Sequence, residues 1–288
     1  MKLYPIQCGN FKLDGGAMFG VVPKSLWERT NPADPKNLIE LGTRSLLVED
    51  GKKLILIDCG LGNKQDEKFF GHYSLYGDES LDKNLKKFGF VREDITDVFL
   101  THLHFDHCGG AIEWNDDKTG YRPAFKNAQF WTNENHWQWA TEPNPREKAS
   151  FLKENILPMQ ESGQLQFLPT PKTGNYGFAP DLKMDVIFVD GHTEKQMLPV
   201  IQYQEKTIVF AADLIPTAGH IPQVYVMGYD TRPLLTMEEK GKFLKQCVEN
   251  EYLLFFEHDA LHELASLKMT EKGVKLDETF SFNEVFGY

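Results

Sequence analysis

Residues 101–110 read THLHFDHCGG, which places three histidines and an aspartate between His102 and His107 in a chain of only nine histidines. In His102-Leu103-His104, alternation along an extended backbone throws both imidazoles to one side. Asp106 and His107 follow where the chain turns, and Gly109 and Gly110 allow the turn and a close backbone approach. Imidazole and carboxylate are the donors that zinc and similar transition ions take. Four such side chains exceed what one ion usually draws from so short a stretch. The stretch therefore predicts a pair of neighbouring ions, and it demands ligands from elsewhere in the chain.

Three further segments meet that demand. DVIFVDGH (185–192) ends on His192, TIVFAAD (207–213) on Asp213, and LLFFEH (253–258) on His258. Each is an apolar run that reads as a buried strand and stops on a metal-coordinating group. A lone buried carboxylate or imidazole is costly, and a bound cation relieves that cost.

The surrounding pattern supplies the architecture. SLLVE (45–49) and KLILID (53–58) read as strands joined by a turn at Asp50-Gly51. ITDVFLTH (95–102) reads as the strand that delivers the histidine cluster. Leu81, Leu85 and Phe88 have helical spacing in SLDKNLKKFG (80–89), with Gly89 as a stop. REKASFLKENILPM (146–159) is helix-like, and a helix over 236–250 opens with Thr236 and Glu239 in capping-box spacing. Strands in both halves, each followed by helices, predict an α+β fold: an αββα sandwich of two packed sheets flanked by helices. The chain reads as a single domain over 1–288. Within it, 111–180 is expected to be a helical, tryptophan-rich insertion carrying Trp114, Trp131, Trp137 and Trp139.

Composition narrows the function classes. An apolar share of 41% is enough for a substantial core, and no apolar run approaches the roughly 18 residues of a membrane span. The first residues lack the basic-then-apolar plan of a secretory signal. Cys8, Cys59, Cys108 and Cys247 form no C-x-x-C pair, so neither a disulfide framework nor a thiolate zinc site is indicated. A cytoplasmic location, with no membrane partner, is the expectation. The net charge of −11 counts against nucleic acid as a partner.

The motifs His102-x-His104-x-Asp106-His107, GHT (191–193), AAD ending on Asp213, and EHD containing His258 resemble those of the metallo-β-lactamase-fold hydrolases. Their spacing is similar to that of the lactonase-like branch, the N-acyl-homoserine lactonases and their organophosphate-hydrolysing relatives. LILIDCGLG (54–62) resembles the superfamily's early strand-and-Asp motif, and DGGAMFGVVPK (14–24) the N-terminal loop of that branch. The resemblance implies that His102, His104 and His192 hold one metal, that Asp106, His107 and His258 hold a second, and that Asp213 bridges both. Asp58 would then support the ligands without being one. Two divalent ions are implied, zinc first, with manganese, iron or cobalt as the other choices. The implied reaction is attack by a metal-bridging hydroxide on a lactone, ester or related bond of a small molecule with an apolar moiety. A homodimer is compatible with the resemblance.

The pattern departs after Asp213, where Pro216 stands at the position of the tyrosine that homoserine-lactone hydrolases of this fold carry. His220, Tyr225 or Tyr229 could fill the donor's role from a loop, or the metals could manage without one; the expected catalytic groups are Asp106, His220 and Tyr225. Cys108 reads as a small buried filler and Asp190 as a turn former. His72, His136 and His262 read as surface or helix residues. Met18, Phe19 and Val21 are candidates for an apolar pocket wall, and the tryptophan-rich segment for a lid. Two other reactions of the fold compete: a mononuclear iron oxidoreductase of the persulfide dioxygenase type, and a phosphodiesterase or nuclease. The intact second ligand set counts against the first, and the acidic charge against the second.

Overall fold

The computed structural model describes residues 1–287. The first half contributes β1 (Lys2–Asp14), β2 (Leu38–Asp50), β3 (Lys53–Ile57) and β4 (Asp97–Phe99). A two-stranded ribbon of β5 (Ile112–Trp114) and β6 (Tyr121–Pro123) follows, then β7 (Gln129–Asn133) and β8 (Leu165–Leu168). The second half contributes β9 (Tyr176–Ala179), β10 (Met184–Val189), β11 (Gln196–Tyr203), β12 (Lys206–Phe210), β13 (Leu253–Phe255), β14 (Leu264–Thr270) and β15 (Gly273–Phe280). Among the described residues they form two large sheets, β1-β2-β3-β4-β7-β8 and β15-β14-β13-β12-β11-β10-β9.

Strand alternation explains the layering. In β2 and β3, Leu46, Val48, Ile55 and Ile57 join Val186, Phe188, Val209 and Phe210 of the other sheet in one core. Leu47, Leu54 and Leu56 point the other way, onto Leu81 and Leu85 of helix Leu81–Lys87, Trp137 of helix Glu134–Thr141 and Ile156 of helix Lys153–Glu161. A period of two thus buries both faces of the first sheet. Phe243, Leu244 and Cys247 of helix Pro233–Glu249 pack into the core of the second sheet. The αββα sandwich expected from the strand pattern is the architecture observed. No helix among the described residues is long and apolar enough to cross a membrane.

Several local expectations meet the structure closely. The Asp50-Gly51 turn joins β2 to β3 with Gly51 at φ 65, and Ser80 caps its helix by accepting from Lys83 N at 3.3 Å. Others differ. The stretch 111–180 is not a helical insertion, because β7 and β8 within it complete the first sheet by parallel pairing with β4 and with each other. Its tryptophans mislead: Trp131 lies in β7 at the inter-sheet core, and its indole donates to Asp97 at 2.8 Å. The helix expected over 146–159 forms only from Lys153 to Glu161. The last long helix begins at Pro233, not at Thr236, because proline suits the first helical turn. Glu239 is drawn away from capping, to accept from the backbone N–H groups of Asp190 and Gly191, each at 2.9 Å.

The topology positions the chemistry. β3 and β4 run parallel in one sheet, β12 and β13 run parallel in the other, and the segments leaving these four carboxyl ends meet. Ligand sites of α/β sheets collect at such ends. Gly109 and Gly110 let the loops touch: a Cβ on Gly110 would lie 2.1 Å from Cys59 O, and one on Gly109 2.1 Å from Leu61 O.

Candidate metal centre

His102 and His104 leave β4 in extended conformation, and the short helix Phe105–Cys108 follows with Asp106 and His107 in its single turn. His192 follows β10, Asp213 sits in the turn after β12, and His258 follows β13. All seven side chains are buried. The His104 Nδ1 atom stands 3.0 Å from His102 Nε2 and 3.1 Å from His192 Nε2. His107 Nε2 and His258 Nε2 face each other at 3.1 Å. Asp106 lies 3.9 Å from His107 Nε2 and 3.7 Å from His258 Nε2.

Asp213 stands between the two sets. Its Oδ2 is 3.1 Å from His192 Nε2 and 3.8 Å from His102 Nε2, while its Oδ1 is 3.2 Å from His258 Nε2 and 3.6 Å from His107 Nε2. One carboxylate therefore presents one oxygen to each set. The donor atoms of His102, His104, His192 and Asp213 lie within 4.8 Å of one another, as do those of Asp106, His107 and His258. Such converging donors could each hold a cation. The buried Asp213 Oδ1 has no hydrogen-bond donor, which is costly unless a cation takes the place of one. The residues present fit a pair of divalent ions.

Each imidazole is held from behind by its other nitrogen. His102 Nδ1 meets Thr101 Oγ1 at 3.1 Å, His104 Nε2 meets Glu147 at 3.4 Å, and His192 Nδ1 meets Asp230 at 2.9 Å. His258 Nδ1 meets the Gly42 carbonyl at 2.8 Å. His107 Nδ1 faces two buried carboxylates, Asp58 at 3.1 Å and Glu257 at 2.9 Å. Asp58 also accepts from Thr101 N and Oγ1 at 2.8 and 2.6 Å, the supporting place expected for it. Partners of this kind fix the ring and raise its basicity as a ligand. Glu147, Asp230 and Glu257 were not foreseen. Only Glu257, adjoining His258, carried a sequence signal: a charge at the end of an apolar strand.

Electrostatics follow from this crowding. Burial and the neighbouring His107 and His104 rings hold His102 well below the ordinary imidazole value. Burial would also lower His192 and His258, yet Asp213 carries them up to about 10 and about 9, with Asp230 assisting at His192. Burial works against the Asp213 carboxylate, but His107, His192 and His258 hold it well below the usual range.

A cavity of about 340 Å³ opens over the cluster. Phe11, Met18, Leu41 and Met227 give it apolar walls, and His104, Asp106, His192, Asp213 and His258 line it as well. Among the described residues, its polar lining outside the cluster includes Tyr73, Tyr229, Ser150 and Arg146. Met18 takes the pocket position expected of it, whereas Phe19 stacks on Trp27 and Val21 is exposed. The segment 111–180 reaches the pocket through Arg146, Glu147, Ala149 and Ser150 and not through its tryptophans.

The structure does not bring His220 or Tyr225 to this cavity. His220 is buried, with Nδ1 2.8 Å from Thr217 Oγ1 and Nε2 2.9 Å from Met18 O, and its ring stacks on Phe19 at 4.1 Å. Nδ1 is spent on its own turn and Nε2 on holding the N-terminal loop. Tyr225 packs edge-on against Phe19. His136 is a helix residue, as one of the two expectations had it, but a buried one; its Nε2 accepts from Leu103 N at 2.8 Å, which steadies the segment between His102 and His104. Burial lowers His136 to about 4 and His220 to about 3. In the unfolded chain both take up protons near pH 6.5. Their contribution is therefore complete above that pH and is lost as pH falls toward the folded values. At pH 5 urea denaturation should show a loss of roughly 2 kcal/mol for each relative to pH 7.5. Because His107, His192 and His258 contribute with the opposite sign, the loss is read against His136→Gln and His220→Gln. A pH 7.5-to-5 difference unchanged in both variants would refute their neutral burial.

The profile of the metallo-beta-lactamase superfamily matches residues 38–246. The chain belongs to that superfamily, and its class is that of a metal-dependent hydrolase. It is similar to an N-acyl homoserine lactonase of Bacillus cereus, 23% identical over 275 residues, covering 91% of this chain and 94% of that one. Among solved structures it is similar to a probable metal-dependent hydrolase from Staphylococcus aureus, with a TM-score of 0.85 and 27% identity, covering 97% and 96% of the two chains. The dizinc quorum-quenching lactonase AidC shares the fold, with a TM-score of 0.77, 22% identity, and 97% and 95% of the chains covered.

Proposed function

We propose that this protein is a dinuclear hydrolase that opens lactones or cleaves esters of small molecules with an apolar part. The observation that carries the reading is Asp213, whose two oxygens face two separate imidazole sets. In this reading His102, His104 and His192 hold one ion, Asp106, His107 and His258 hold the other, and Asp213 is shared. The two ions, zinc first among the candidates, would supply a water acidified toward pH 7 and a Lewis acid for the electrophilic oxygen. The chain's own residues do the rest. Phe11, Met18, Leu41 and Met227 receive the apolar part and keep bulk water from it. Glu147, Asp230, Asp58 and Glu257 hold the rings in place, so that little reorganisation accompanies reaction.

The leaving alkoxide needs a proton, and Pro216 cannot give one. Tyr229 is the best-presented donor on the cavity wall. Its neighbours on both sides are pinned, Gly228 N to Ala17 O at 2.8 Å and Asp230 to His192 at 2.9 Å. Burial and the nearby Asp106 carboxylate push its phenol up to about 12, so it holds its proton at neutral pH. Tyr229→Phe should lower kcat about 100-fold on alkyl lactones and esters. On 4-nitrophenyl esters, whose leaving group needs no proton, it should do little. An equal loss on both substrates would assign Tyr229 a packing role instead.

N-acyl homoserine lactones belong in the first assay, with aliphatic lactones, aryl esters and phosphotriesters beside them. Metal-loaded protein should contain about two ions per chain and hydrolyse at least one class. A single iron per chain with no hydrolysis would overturn the reading.

A further inference from the structure

Arg146 is the single guanidinium or ammonium among the described residues that line the cavity. Arg44, Arg92, Arg122 and Arg232 each stand beside a carboxylate. Arg146 instead donates from Nη2 to two carbonyl oxygens, those of Gly228 and of Asp230, the latter at 3.2 Å. The carboxylates adjoining its contacts are committed elsewhere: Glu147, next in sequence, to Trp139 Nε1 and His104, and Asp230, whose carbonyl it holds, to His192.

A guanidinium is a rigid planar fork with five N–H donors. Anchoring Nη2 on two main-chain carbonyls fixes the plane and leaves Nε and Nη1 without a protein acceptor among the described residues. Arg146 is exposed while the imidazole cluster is buried, so the cation stands at the mouth and the reacting centre on the floor. Between them lie apolar walls that an acyl chain can occupy.

We propose that Arg146 selects substrates bearing an anionic group, a carboxylate, at the end remote from the scissile bond. The substrate class is then an ω-carboxylated ester or lactone and not a wholly neutral one. This rests on the hydrolase reading above and adds to it the charge of the substrate. A carboxylate can accept a single charge-assisted hydrogen bond from Nη1, since Nε and Nη1 lie on different edges of the guanidinium.

The test compares two esters with the same leaving group, 4-nitrophenyl butyrate and mono(4-nitrophenyl) glutarate, on metal-loaded wild type, Arg146→Gln and Arg146→Lys. The ratio of kcat/KM for the anionic over the neutral ester should fall about 10-fold to 100-fold in Arg146→Gln, mainly through KM. Arg146→Lys should recover part of it, and raising the salt should shrink the wild-type preference. Because Arg146 also ties down Gly228 and Asp230, both esters can slow in the variant; only the ratio reports charge selection. An unchanged ratio would overturn the proposal and leave Arg146 as a loop clamp. If wild type hydrolyses neither ester, the hydrolase reading fails, and calorimetric binding of the monoanion glutaramate decides the inference by itself. Weaker binding to Arg146→Gln than to wild type supports it, and equal or absent binding to wild type overturns it.

Discussion

Asp213→Ala is expected to leave a folded protein that retains neither ion firmly and whose turnover falls by about 1000-fold or more. The reason is geometric. Asp213 Oδ2 stands 3.1 Å from His192 Nε2 and Oδ1 3.2 Å from His258 Nε2, so one side chain serves both halves of the centre. Loss of any other proposed ligand leaves one set of donors whole. Loss of Asp213 opens both sets and removes negative charge from between five buried imidazoles. Elemental analysis after gel filtration, with circular dichroism to confirm the fold, separates this from simple unfolding. Two ions per chain with wild-type turnover in the variant would exclude the shared position.

Loading the metal-free protein should release protons, and its metal affinity should climb steeply with pH. In the metal-free chain His107 is raised well above the ordinary imidazole value against the pull of burial, by Glu257, Asp213 and Asp106. His192 stands at about 10 and His258 at about 9. At neutral pH these rings together hold protons that an incoming ion would displace. Each proton displaced makes affinity rise about tenfold per pH unit until the folded value is passed. The stability these rings give the metal-free chain has the opposite sign. It is complete below pH 6.5 or so and is lost as pH rises through about 9 to 10. Calorimetry in buffers of different ionisation enthalpy counts the protons. Zinc affinity independent of pH between 6.5 and 8.5 would show that the rings are already neutral.

Much of the converging cluster was legible because its donor residues are the end points of short, strongly patterned segments. Apolar runs that stop on His192, Asp213 and His258 announce both a buried strand and a costly polar terminus. The His102–His107 cluster announces itself by density alone. The helical stop at Gly89 and the turn at Gly51 follow from local backbone chemistry. Failures came where tertiary contacts outweighed local pattern. Segment 111–180 alternates too briefly to distinguish strands from helices, and it took its parallel partner β4 to make β7 a strand. Thr236 and Glu239 match a capping box, yet Glu239 serves the Asp190–Gly191 turn across 49 and 48 positions of chain.

By itself the sequence determined the candidate donor types, the strands that carry them and the two-layer architecture, because each depends on residue identity and short-range periodicity. Only the tertiary structure decided which groups stand behind the imidazoles and which face the cavity. Glu147 and Asp230 lie 43 and 38 positions from the histidines they hold, and no local pattern encodes such a pairing. His220, seven positions after Asp213, looked like a partner in the reaction. The fold turns it away to hold Met18, because a buried imidazole must satisfy both nitrogens where the chain places it.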